Sequence, residues 1–147
     1  MSTVRTALAQ KSRALIHVRS DDMVVEALLQ MREGGVRSVL VIDDGVLVGI
    51  VTQGDCAIKV LLPGLDAKQT PVSQVMTGNP VTVKPDDPLQ GCMAMMAKRG
   101  IRHLPVLDAG KAVGVISIGD VVKNIIRDLE HNVDDLMGFI MKDSPGG

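Results

Sequence analysis

Apolar residues recur at i, i+4 and i+7 in two places along the chain, Val24, Leu28, Met31 and then Leu89, Met93, Met96. This spacing predicts two amphipathic helices. Asp21-Asp22 and Asp86-Asp87 stand where the helices begin and are expected to supply acceptors there, and Gly34-Gly35 and Gly100 stand where they end. Past each helix come two short apolar runs divided by a turn. Residues 39–42 and 47–52 flank Asp43-Asp44-Gly45, and residues 104–107 and 112–117 flank Asp108-Ala109-Gly110, which predicts two hairpins. A second helix is expected from near Asp55 and again from near Asp120.

These two blocks are copies. Sliding the chain by 65 residues lays positions 18–58 on 83–123 without a gap, and thirteen of the 41 positions are identical. The identities include Asp21/Asp86, Gly35/Gly100, Arg37/Arg102, Asp43/Asp108, Gly49/Gly114 and Asp55/Asp120. Turn, glycine and acidic positions are thus kept along with hydrophobicity. Each copy leaves an apolar face it cannot cover alone, so the two are expected to pack face to face about a pseudo-two-fold axis, and neither half is expected to fold by itself. Residues 62–80, with Pro63-Gly64, Pro71 and Gly78-Asn79-Pro80, read as the connection. The division expected is 1–62 for the first repeat with its N-terminal segment, 63–80 for the connection, 81–127 for the second repeat and 128–147 for a helical extension and tail.

In that extension Val122, Ile126, Leu129, Val133, Leu136 and Ile140 alternate steps of four and three, the pattern of a coiled-coil seam. A long amphipathic helix folded back on its own domain gives the same pattern. The ending Ser-Pro-Gly-Gly reads as a tail.

Composition narrows the chemistry. The 147 residues are 46% hydrophobic, enough for a core, and 16 basic against 17 acidic residues are interspersed, which speaks against nucleic acid as a partner. No apolar run reaches the roughly 18 residues a membrane span needs, so a soluble cytoplasmic protein is the expectation. Cys56 and Cys92 are too few for a disulfide framework or a four-cysteine zinc site and are expected to be reduced core residues. Phe139 is the sole aromatic, so a flat ligand has to be held by aliphatic side chains and backbone. The nine methionines are assigned to packing, and no metal or cofactor is expected.

The segments GIVTQGD and GVISIGD resemble the signature that closes a CBS motif, and VMTGNPVTVKPDDPL and GIRHLPVLD are similar to other segments of that family. The resemblance spans residues 15–127 and implies an α+β fold of two CBS repeats, a small sheet with flanking helices each, packed as a stand-alone Bateman module. In the closing signature a carboxylate at a helix start suits the two hydroxyls of a ribose, and Asp55 and Asp120 hold that place. Thr52 and Ser117, three residues earlier, offer a hydroxyl where a phosphate meets a helix N-terminus. The same carboxylates also read as ordinary N-caps.

The resemblance further implies two clefts, each joining the closing motif of one repeat to the entry and central strands of the other. Site one joins Thr52 and Asp55 to Val81, Ile101, Arg102 and His103. Site two joins Ser117 and Asp120 to Ile16, Val36, Arg37 and Ser38. Arg102 and His103 give site one the richer cationic set, whereas Gly54 stands where stand-alone members often carry a larger basic residue, which weakens it. Surface ion pairs for Arg37 and Arg102, and a structural role for His103, are the plainer readings. His17 and His131 receive no role.

The implied function is a non-enzymatic regulatory module that binds AMP or ATP, with ADP, NAD(H) and S-adenosylmethionine as alternatives, and signals occupancy, for instance of energy state, to an unknown protein. Homodimers are common among CBS pairs and are expected here. A rival is a scaffold for protein interaction with empty clefts. An enzyme is disfavoured: CBS pairs occur within enzymes such as inosine monophosphate dehydrogenase, but no catalytic residues are singled out here, and H-E-x-x-H, G-x-S-x-G and Walker glycine patterns are lacking.

Overall fold

The computed structural model describes residues 2–11 and 14–142. Both halves have one plan. Helix α1 (Val4–Ala9) and strand β1 (His17–Val18) precede α2 (Val24–Gly34) and the hairpin β2 (Ser38–Asp43)–β3 (Val46–Thr52). A short helix α3 (Gln53–Cys56) continues into one π-type turn, Ala57–Leu61. After a 3-10 turn (Val72–Gln74) and the two-residue strand β4 (Thr77–Gly78) come α4 (Leu89–Arg99), the hairpin β5 (His103–Asp108)–β6 (Lys111–Ser117) and the long α5 (Ile118–Lys142). The Ser-Pro-Gly-Gly ending lies outside the described residues.

The repeat seen in the sequence recurs in the pairing of each hairpin and of the residue that enters it, although the first copy builds a four-stranded sheet and the second a two-stranded one. Val18 pairs in parallel with Val41 in the first copy, and Val83 pairs in parallel with Val106 in the second. The register slips between Val41 and Ile42, and again between Val106 and Leu107. Both helices after the entry strands end on a left-handed glycine, Gly35 at φ 62° and Gly100 at φ 64°, where a side chain would meet its own backbone. Both hairpins turn through two residues of positive φ, Asp44-Gly45 and Ala109-Gly110, the twist that two-residue hairpins need.

Each repeat keeps its own core. In the first, Val39, Leu40 and Val41 are sealed from solvent, because β2 runs between β1 and β3 and is covered on both faces. In the second, Leu104, Val106 and Ile116 take that part. The helix stripe of the second copy needs a correction. Cys92 is buried beside Leu89 and Met96, whereas Met93 is 36% exposed, since the helix turns about 100° per residue and carries an i+4 position off the buried face. Both cysteines are buried and free, with thiols pushed up by burial.

Two other expectations change. The paired aspartates do not cap their helices: the caps are Met23 and Pro88, without side-chain bonds. Asp22 and Asp87 instead accept from the backbone N–H groups of Arg19 and Lys84, each 2.8 Å away, and so close the turn before the helix. The free helix donors are met by backbone from elsewhere. Val24 N–H donates to Thr70, and Leu89 N–H donates to Ser2.

That last bond exposes a swap of segments. The segment before the first repeat packs on the second: Val4 and Ala7 belong to the second core, and Val4 N–H donates to Asp87. The connection packs on the first: Val72 and Val75 belong to the first core, and Val72 N–H donates to Asp22. Grouping the N-terminal segment with the first repeat, as chain order suggests, therefore differs from how it packs. The connection is also no plain linker, because β4 adds to the edge of β3.

Candidate functional site

Where the two repeats face each other they enclose one cleft of about 1160 Å³. Its walls are made by the ends of the hairpins and the starts of α3 and α5. The order β-strand, hydroxyl, two residues, carboxylate explains the local geometry. Thr52 Oγ1 accepts from Asp55 N–H at 3.1 Å while the Asp55 carboxylate accepts from Thr52 N–H at 3.0 Å. Ser117 and Asp120 repeat this reciprocal cap at 3.2 and 2.9 Å. The N-cap reading of the two aspartates is thus corrected in both copies: the hydroxyl residues Thr52 and Ser117 hold the cap position, and Asp55 and Asp120, three residues on, close the box from inside the helix.

Thr52, Asp55, Val81, Ile101, Arg102 and His103 line this cleft, and so do Ser117, Asp120, Ile16, Val36, Arg37 and Ser38. The residues of both sites expected from the resemblance thus line one cleft between the repeats. The aliphatic walls come in equivalent pairs, Ile16 with Val81 and Val36 with Ile101, all partly exposed. Arg37 and Arg102 lie beside the closing motifs of their own repeats: the Arg37 carbonyl accepts from Gln53 N–H, and the Arg102 carbonyl accepts from Ile118 N–H. Among the described residues neither guanidinium is paired with a carboxylate, so the ion-pair reading of these arginines is not realised.

His103 lies opposite Ser117 in the hairpin register and feels the charges of Lys11, Asp120, Arg37 and Arg102. Its assignment to site one alone does not describe this position. Burial, helped by Lys11, Arg37 and Arg102 against the opposing pull of Asp120, holds its imidazole below the usual histidine range. It is a neutral ring at pH 7. Burial pushes the Asp120 carboxyl up, but Lys11 and Ser117 together outweigh that and hold it below the usual carboxylate range.

Sequence reasoning missed Lys11, whose Nζ lies 2.7 Å from Asp120 Oδ2 and 2.8 Å from the Val115 carbonyl. The signal for it is faint, since the residue lies ahead of the repeat and reaches the cleft only because of the segment swap. On the other side Asp55 Oδ1 meets Lys59, one turn along, at 3.3 Å. Gly54 and Gly119 occupy equal places, and a Cβ at either would meet only a cap hydroxyl, at 3.6 Å. Among the described residues no cluster of three His, Cys, Asp or Glu suits a metal, and no helix is long and apolar enough to cross a membrane.

Comparison with known proteins agrees with this arrangement. The family model for the CBS domain matches twice, over residues 9–61 and 72–127. The chain is 32% identical to the CBS domain-containing protein YhcV of Bacillus subtilis, over 84% of this chain and 86% of that one. It is 31% identical to the mitochondrial CBS domain-containing protein CBSX3 of Arabidopsis thaliana, of whose length it spans 61%. The solved structure of a CBS-domain protein from Burkholderia ambifaria is 42% identical and superposes with a TM-score of 0.82, covering 86% of this chain and 96% of that one. A CBS domain protein of Pyrobaculum aerophilum complexed with AMP shares the fold, with a TM-score of 0.72 at 21% identity over 81% of this chain and 89% of that one. Two matches to one family model, a repeated hairpin with its reciprocal cap, and two copies facing a single cleft leave one conclusion: this chain belongs to the CBS-domain family, as a tandem pair of repeats.

Proposed function

We propose that the chain is a regulatory module without catalytic activity of its own, which binds an adenine nucleotide, AMP or ATP, in the cleft and passes its occupancy to a partner protein. The observation that carries this is the pairing of features across the cleft. Two carboxylates at helix starts, Asp55 and Asp120, face a space with aliphatic walls, and the cations lining it include Arg37 and Arg102, which among the described residues are paired with no carboxylate. A carboxylate offers acceptors for ribose hydroxyls, aliphatic walls hold a flat base, and a guanidinium fork suits phosphate. The AMP found with the Pyrobaculum protein is consistent with this ligand class. The phosphate-suited groups favour AMP or ATP over S-adenosylmethionine, which has no phosphate, with ADP and NAD(H) next in line.

Titration calorimetry with AMP, ADP, ATP, NADH and S-adenosylmethionine tests the reading, with Asp55→Asn and Asp120→Asn alongside. Asparagine keeps an acceptor for the cap and so isolates the ribose contact from helix stability, which loss of a cap lowers by about 1 kcal/mol. Binding of one adenine ligand that an Asn variant weakens by tenfold or more supports the proposal. Absence of any binding at millimolar ligand refutes it. Nucleotide recovered unchanged after long incubation is the expected result for a module without catalytic activity.

A second reading, a scaffold for protein interaction, is favoured by the apolar stripe along α5. From Leu129 to Ile140 the stripe residues are exposed. We assign this face to a second copy of the chain, giving a homodimer in which ligand binding and partner contact act together.

A further inference from the structure

The two ends of the cleft share their closing motifs and differ in what the swapped segments bring to them. The packing of the swapped segments defines which residues correspond: Val4 stands on the second repeat as Val72 stands on the first, donating to Asp87 and to Asp22. One turn on, Leu8 lies against Gly114 as Met76 lies against Gly49. Continuing this correspondence sets Lys11 against Asn79, and both line the cleft. An ammonium thus stands at the Asp120 end where the Asp55 end has a neutral amide.

The ammonium is held in place. Lys11 Nζ bridges Asp120 Oδ2 and the Val115 carbonyl, and the two side chains of the ion pair are only 28% and 22% exposed. Helix α1 anchors it from behind through buried Val4 and Ala7. Lys59, the partner of Asp55, also bridges its carboxylate and a carbonyl, that of Val75 at 3.0 Å, but it lies on the same helical segment as Asp55, its ion pair is longer at 3.3 Å, and it is 44% exposed against 28% for Lys11. A ribose arriving at Asp120 has to exchange neutral hydroxyl bonds for a charge-assisted bond that the chain makes to itself at high effective concentration. A ribose arriving at Asp55 displaces a longer ion pair whose lysine is more exposed and keeps its bond to the Val75 carbonyl.

We propose that Lys11 is a tethered competitor for the ribose-facing carboxylate Asp120, so that the two ends of the cleft bind nucleotide unequally and the Thr52/Asp55 end fills first. This rests on the adenine-nucleotide reading above. Lys11 is a specificity-determining residue supplied from outside the repeat whose closing motif it guards, and its position makes occupancy of the second end depend on the N-terminal segment.

The test is calorimetric titration of the full chain with AMP and ATP in an Asp55→Asn background, which leaves the Asp120 end to be read alone. Lys11→Met, which keeps the length and removes the charge, is expected to tighten that end by about tenfold, the scale of one charge-assisted bond lost to the competitor. Lys11→Arg is expected to leave it within about twofold of the parent, because the guanidinium pairs with the carboxylate as well. Equal melting temperatures of the three proteins verify that the fold is intact. Unchanged binding in Lys11→Met overturns the inference while leaving the nucleotide reading standing, and weaker binding overturns it by making Lys11 a phosphate ligand. No binding by the otherwise unaltered chain or by any variant removes both.

Discussion

At the scale of single residues the cleft is organised by charge held in partly buried places. His103 is kept neutral because burial and three nearby cations outweigh Asp120. Its folded pKa lies below that of the unfolded chain, so the unfolded chain takes the proton first as pH falls. The stability contributed by neutral His103 is therefore complete above about pH 6.5 and declines as pH drops from there towards the folded value. Asp120 is the opposite group with the same trend: its folded pKa is depressed, so its contribution is complete above about pH 3.9 and is lost as pH falls through the folded value. A phosphate in the cleft adds negative charge beside His103 and raises its pKa. Nucleotide binding near pH 6 is thus expected to take up a proton, read as a difference in binding heat between buffers of unlike ionisation enthalpy, and His103→Gln is expected to abolish that difference. Equal heats in the two buffers for the unsubstituted protein would remove His103 from the phosphate's surroundings. In Lys11→Met the loss of a neighbouring cation is expected to raise the His103 pKa even without ligand, measurable by NMR titration.

At the scale of elements, matched glycines carry the repeat. Gly49 and Gly114 are identical in the two copies, and the reason is the close approach of the swapped segments. A methyl group on Gly49 would meet the Thr77 carbonyl at 2.9 Å and the Met76 sulfur at 2.6 Å, whereas one on Gly114 would meet only the tip of Leu8 at 2.8 Å. Gly49→Ala is expected to cost about 1–3 kcal/mol in thermal or denaturant unfolding, because backbone bonded to β3 cannot move aside. Gly114→Ala is expected to cost less than half of that, because a leucine side chain turns to another rotamer. Equal costs would show that the Thr77 backbone yields as easily as the Leu8 side chain. Both hairpins, their turns and the helix ends were legible in the sequence, because period and turn chemistry act over a few residues. The aspartates before the helices were misread because the same pattern serves a helix cap and the turn before it. Met93 was misread because i+4 and i+3 positions share a stripe only approximately. The segment swap was beyond reach, since it pairs residues on opposite sides of a repeat with little shared identity. The cleft residues were legible in pairs from the repeat and the family resemblance, and Lys11, ahead of the repeat, was not.

At the scale of the whole molecule, α5 decides how copies meet. Its first turns are spent on its own repeat, with Val121 and Asn124 buried and Asn124 Nδ2 donating to the Asp120 carbonyl. Past Leu129 the helix leaves the body, and even the first stripe residues, Val122 at 39% and Ile126 at 49%, are exposed, so the stripe is not folded back on its own domain. Leu129 is 59% exposed, and Val133, Leu136 and Ile140 are similarly bare. An apolar stripe of this length on a single helix is unfavourable in water, and a helix without tertiary contacts is marginal at such lengths, so the stripe calls for a cover. The steps of four and three between its members fit the seam of a second helix of the same kind, and a two-fold contact lets one surface serve both copies. Light scattering at micromolar concentration is expected to give twice the 15.6 kDa of one chain. Leu129→Glu combined with Leu136→Glu places like charges in the seam and is expected to yield the single-chain mass with a loss of helical circular dichroism, while nucleotide affinity at the cleft falls by less than about threefold if cleft and seam are independent. A single-chain mass for the unsubstituted protein refutes the homodimer. A larger loss of affinity in the double variant shows instead that assembly shapes the cleft, for α5 carries both: Asp120 stands at its start and the seam along the rest, so a shift of that helix on pairing is felt directly by the carboxylate that Lys11 guards.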